Sequence, residues 1–131
     1  MNEQRAIQFL GEVRKPLLTL HKAILDHERA AYEREFGPVT PAAFLQVLIN
    51  GAGYRWITPL SAVITNIDES LDAKDATEAD RIAAAQAVGA LFSGEESVAF
   101  FERYQALLHA SPEVLQRHGQ IAPLLRQLQD A

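Results

Sequence analysis

No cysteine occurs among the 131 residues. That excludes disulfides, thiolate nucleophiles and every cysteine-ligated zinc or iron–sulfur centre. Short secreted domains use cysteines for bridges, so their absence argues for a reducing, cytoplasmic setting. Long apolar runs are missing too. None approaches the ~20 residues of a membrane span. The opening MNEQRAIQFLGEVRK also lacks the apolar stretch of a signal peptide. Basic charge is scarce: 12 Lys and Arg stand against 17 Asp and Glu, a net of −5. The surplus is local, because residues 66–80 (NIDESLDAKDATEAD) hold six acids and one lysine. The remainder of the chain is balanced. Without a basic stripe to neutralise phosphates, neither nucleic acid nor a membrane is expected as a partner.

Catalytic signatures are equally thin. Gly51-Ala52-Gly53 lacks both the lysine of a phosphate loop and the third glycine of a dinucleotide fingerprint. No Gly-x-Ser-x-Gly elbow surrounds any serine. Asp68, Glu69 and Asp72 crowd together, but beside a polar loop where water keeps them ionised. Matched acid–base work needs burial to push such groups apart. No alternating run of β-branched or aromatic residues marks a strand.

Helix punctuation is abundant. Ala6, Leu10, Val13, Leu17, Leu20, Ile24, His27 and Ala31 recur at spacings of four and three, which predicts one long amphipathic helix over 2–36. Pro16 inside it predicts a kink or a break into two helices. Leu18, Leu25 and Tyr32 add a second apolar row, which predicts that the later half of this helix sits centrally. Thr40-Pro41 and Thr58-Pro59 read as cap-and-proline starts. Phe44, Leu45, Val47, Leu48 and Ile49 are expected to pack inward. Thr77 with Asp80 resembles a capping box opening a helix over 78–92. Ser93-Gly94-Glu95-Glu96 reads as a second box opening 94–110, with Val98, Phe101, Tyr104 and Leu108 buried. Ser111-Pro112 opens the next helix, which Gly119 is expected to interrupt ahead of a short last helix at Pro123. The expectation is one all-α domain over 1–131: an irregular, mostly antiparallel bundle of six to eight helical segments.

The candidate site is a constellation rather than a motif. His27 lies on the apolar stripe of the first helix, His21 and Glu28 flank it, and Tyr32 completes its edge. Tyr54, Arg55 and Trp56 cluster beside a later helix start, with Glu28 or Asp68 the expected partner of Arg55. Such groups line pockets, and aromatics with arginine also anchor protein interfaces. Each has a plainer role as well: a stripe histidine bonds a carbonyl or carboxylate, and tyrosine or tryptophan fills a core edge. His21 and Glu28 are about 10.5 Å apart in rise, too far to grip one ion unaided. No cofactor is assigned.

Two segments taken together, Leu20-His21-Lys22-x-x-Leu25-Asp26-x-Glu28-Arg29 and Trp56-x-x-Pro59-Leu60-Ser61-x-x-Ile64-x-x-Ile67-Asp68, resemble segments of small all-helical bacterial proteins of uncharacterised function. The resemblance implies a shared surface of His21, Asp26, Glu28, Arg29, Trp56, Ser61 and Asp68, and it carries no activity. The leading functional expectation is a non-enzymatic interaction or regulatory module. It would act as a homodimer that buries the apolar face of the first helix, with Trp56 as an anchor, or bind another protein. The alternative is a small-ligand-binding protein or enzyme, with a pocket between helix 17–36 and segment 54–70. A weaker alternative is a carrier of a metal, held by ligands converging from different helices, or of haem, held by an isolated histidine.

Overall fold

The computed structural model describes residues 1–130. Among them are six α-helices, joined at one point by a 3₁₀ segment, and no strand. The helices are α1 (Glu3–Phe36), α2 (Pro41–Asn50), α3 (Thr58–Asp72), α4 (Glu78–Ser93), α5 (Val98–Ala110) and α6 (Pro112–Gln129); the 3₁₀ segment, Ala52–Ile57, lies between α2 and α3.

Local chemistry sets most of the boundaries. Asn2 Oδ1 accepts from the Arg5 amide to open α1. Thr40 caps α2 ahead of Pro41. Thr77 and Asp80 cap each other reciprocally at α4. Ser111 accepts from Val114 ahead of Pro112 at α6. Each satisfies an amide that the first turn leaves without a helical partner.

α1 is the spine, packing chiefly on α6, α4 and α3. Ala6, Leu10, Val13, Leu17, Leu20 and Ile24 on it are fully buried. α3, α4 and α6 supply Leu60, Ile67, Val88, Leu91 and Ile121 to the same core. Arg14 meets Asp68 at 2.6 Å and His21 meets Ser61 at 3.0 Å, so α3 runs antiparallel to α1. α4 runs parallel to α1, its first turn joined to the start of α1 by the Arg81–Glu3 ion pair.

Several expectations are overturned. Of the kink or break expected at Pro16, the break does not occur: α1 is one continuous helix. A helix-interior proline costs about 3 kcal/mol, but burying side chains such as Leu17 and Leu20 contributes roughly 1.5–3 kcal/mol each. Packing therefore outweighs the lost hydrogen bond. α6 likewise runs through Gly119 and Pro123. Ser93-Gly94 ends α4 instead of opening a helix: Gly94 has φ +90°, a conformation that side chains resist. α5 starts at Val98 instead, with Ser97 accepting from Phe100. Its buried face is Phe100, Tyr104 and Leu107, while Val98 is exposed. Thr58 does not cap α3, because the 3₁₀ segment leads straight into that helix.

The largest departure concerns the far end of α1. Full burial stops at Ile24, so the earlier part of the helix is the central one. Leu18 is exposed and Tyr32 is half-buried. Beyond it, α2 buries only Phe44.

Candidate functional site

The end of α1 and α2 form a tip at one end of the bundle. Gly37 closes α1 with φ +90° and ψ 176°, which turns the chain into α2. A polar clamp fixes that turn. Arg29 Nη2 donates to the Val39 carbonyl at 2.7 Å, and the Val39 amide donates to Glu33 Oε2 at 3.1 Å. Apolar contact holds α2 at one point. Phe44 stands between Tyr32 and Tyr54, with ring centroids 5.8 and 5.9 Å away, and Tyr32 in turn touches Phe36 at 4.8 Å.

Holding α2 this way leaves its other face without a partner. Leu45 is 53% exposed, Ile49 67% and Phe36 66%. Ala42 and Gln46 are exposed beside them. Ala42, Leu45 and Ile49 stand at i, i+3 and i+7, one stripe of a helix. No residue of PAAFLQVLIN is charged. A solvent-facing surface of that composition loses free energy by staying wet.

The structure divides the sequence-derived candidates among several places. Glu28, Tyr32 and Tyr54 belong to the tip. Burial, then the neighbouring Glu28, Tyr32 and Glu35, push the Tyr54 phenol above its usual range. His27 is half-buried on the same stretch of α1, and Arg55 is exposed. Arg55 forms no ion pair among the described residues, so the expected partnership with Glu28 or Asp68 is not made. Asp68 instead pairs with Arg14, which lies fourteen residues, about 21 Å, back along α1 from Glu28.

Trp56 is 8% exposed and belongs to the chain's own core. Its ring lies 6.2 Å from Phe100, and the Arg103 guanidinium sits 5.4 Å from its centroid on the outside. The indole cannot anchor a partner while it fills that place, which corrects its expected interface role. Its N–H meets no acceptor among the described residues.

His21 lies on the α1–α3 seam, where its Nε2 bonds Ser61 Oγ, and burial lowers its pKa. Of the residues carrying the resemblance, these two meet. Lys22 holds Asp26, and Arg29 serves the clamp.

Open clefts lie elsewhere. One of about 360 Å³ lies between the start of α1 and the end of α6, lined by Met1, Arg5, Phe9 and Leu128. Another, of about 340 Å³, borders the α3–α4 loop near Asn66, Glu69 and Asp75. Among the described residues no three histidine or carboxylate side chains gather to hold a metal ion. No described helix is long and apolar enough to cross a membrane.

Sequence reasoning missed Leu45, Ile49 and Phe36. An uncharged helix reads as core, and the signal that could have separated them was the Ala42–Leu45–Ile49 spacing opposite Phe44. The fold and surface define an all-α bundle with an apolar tip. No family model, curated protein or solved structure matches the chain.

Proposed function

We propose that the protein is a non-enzymatic helical interaction module that self-associates through its tip. The observation that carries the reading is the outward face of α2, uncharged and presenting Leu45 and Ile49, with Phe36 also exposed at the end of α1.

Charge placement supports a second copy as the occupant. A net of −5 opposes self-association, but the whole surplus lies in residues 66–80. That run continues past α3 toward the start of α4, which the Arg81–Glu3 pair ties to the beginning of α1. The tip is at the other end of α1, about 50 Å of helix away. Screening at physiological salt acts over ~8 Å. Two tips can therefore meet without bringing the acidic ends together.

Magnitudes set the strength. Covering each half-exposed Leu, Ile or Phe contributes on the order of 1–2 kcal/mol, and two copies bring six. Association costs about 4–15 kcal/mol. The terms are comparable, so the pairing is weak, micromolar or weaker. Sedimentation equilibrium from micromolar concentrations to about 1 mM tests it. A rise from the monomer mass of 14.5 kDa toward twice that value supports the reading, and a constant monomer mass overturns it.

A further inference from the structure

We infer that the two copies pair α2 against α2 in antiparallel fashion about a two-fold axis near Leu45 and Gln46, with Ile49 of each copy seated on Ala42 of the other. The inference rests on the self-association proposed above and adds the partner's orientation and register.

Two features of the tip favour this arrangement. The exposed stripe runs Ala42, Leu45, Ile49, so a small side chain occupies one end and a large branched one the other. A parallel pair places Ala42 opposite Ala42 and leaves an unfilled gap, which close-packed interfaces disfavour. An antiparallel pair puts large on small twice and leaves Leu45 at the centre. Second, antiparallel helices set the positive end of one dipole beside the negative end of the other, whereas parallel ones align like ends. No side chain on α2 carries charge to offset that preference. The two-fold symmetry, which a parallel pair would also have, closes the arrangement: both α2 faces are used, and the acidic run at residues 66–80 lies away from the tip.

The chain contains no cysteine, so introduced thiols report contacts without background. Four variants are compared under mild oxidation at about 0.5 mM: Leu45→Cys, Ala42→Cys, Ile49→Cys and the double variant Ala42→Cys/Ile49→Cys. Disulfides require Cα atoms within ~7 Å. In the inferred pair, residue 42 lies about 10.5 Å along the axis from its own copy but opposite residue 49 of the other. Leu45→Cys and the double variant should form covalent dimers several-fold faster than Ala42→Cys or Ile49→Cys alone. Linking of all three single variants at similar rates means a parallel pair and overturns the inference while leaving self-association standing. Absence of cross-linking in every variant, with monomer mass in sedimentation, removes both. Circular dichroism of each variant checks that the helices are retained, and Leu45→Ser, which keeps the site small and uncrosslinkable, controls for loss of the leucine.

Discussion

His21 Nε2 lies 3.0 Å from Ser61 Oγ, which joins α1 to α3 along with the Arg14–Asp68 ion pair. The two residues are 40 positions apart in the chain, so the bond fixes how the helices slide along each other. A half-buried hydrogen bond contributes about 1 kcal/mol, and leaving one partner stranded costs roughly 1–3 kcal/mol. Ser61→Ala is therefore expected to lower stability by about 1–2 kcal/mol without changing the helical spectrum. Denaturant unfolding of Ser61→Ala, His21→Ala and the double variant gives the coupling between them. Additive losses would mean the pair does not interact in solution.

Burial also lowers the pKa of His21 and of His118, whose Nδ1 lies 2.7 Å from the Tyr104 hydroxyl. In the unfolded chain both take up protons near pH 6.5, while in the folded chain they stay neutral to lower pH. The unfolded state thus binds more protons as the solution is acidified, and stability rises with pH in this range. Stability should be full above about pH 6.5 and fall as pH drops through the folded-state values. Urea midpoints at pH 7.5 and pH 5.0 check this above the range where carboxylates titrate. The midpoint should be lower at pH 5.0, and the difference should shrink in a His21→Gln/His118→Gln variant. An unchanged or higher midpoint at pH 5.0 contradicts it.

Trp56 makes a sharp contrast between two substitutions. Trp56→Ala removes a ring packed on Phe100 and should cost about 3–5 kcal/mol. Trp56→Phe keeps an aromatic ring and removes an indole N–H that has no acceptor among the described residues, so it should cost less than about 1.5 kcal/mol. Thermal unfolding of both variants is the check. Equal, small losses would mean that the indole is not in the core.

The reciprocal cap at the start of α4 should behave independently. Thr77→Ala strands the Asp80 amide that the Thr77 hydroxyl accepts from at 3.1 Å. The expected loss is about 1 kcal/mol, read from the denaturation midpoint. Asp80 is held below the usual carboxylate range first by the Thr77 amide, which Thr77→Ala keeps, and then by the Thr77 hydroxyl, so its titration should move only part of the way back upward.

What was legible in the sequence was chemistry that acts within a few residues. Thr40-Pro41, Thr77-x-x-Asp80 and Ser111-Pro112 cap helices because a side chain three residues from an amide needs no help from the rest of the fold. What could not be read depended on three dimensions. In VAFFERYQALLHA, Phe100-Tyr104-Leu107 and Phe101-Tyr104-Leu108 are equally good stripes. The neighbouring rings of Trp56 and Phe92 choose the first. Ser93 and Ser97 both precede plausible helix starts, and the left-handed turn at Gly94 decides between them. The candidate site dispersed for the same reason. Glu28, Tyr32 and Tyr54 come together, while Trp56 enters the core and Asp68 pairs with Arg14. The exposure of Leu45 and Ile49 follows from where Phe44 and the Arg29 clamp hold α2, and neither spacing nor hydropathy encodes that placement.

The central claim is that the uncharged outer face of α2 is the surface through which this protein works. Sedimentation of Leu45→Asp/Ile49→Asp beside the unaltered protein at about 0.5 mM tests it most directly. Both side chains face outward, so the account predicts an unchanged helical spectrum and a monomer mass where the unaltered protein self-associates. A variant that keeps its fold and associates as strongly as the unaltered protein would contradict it.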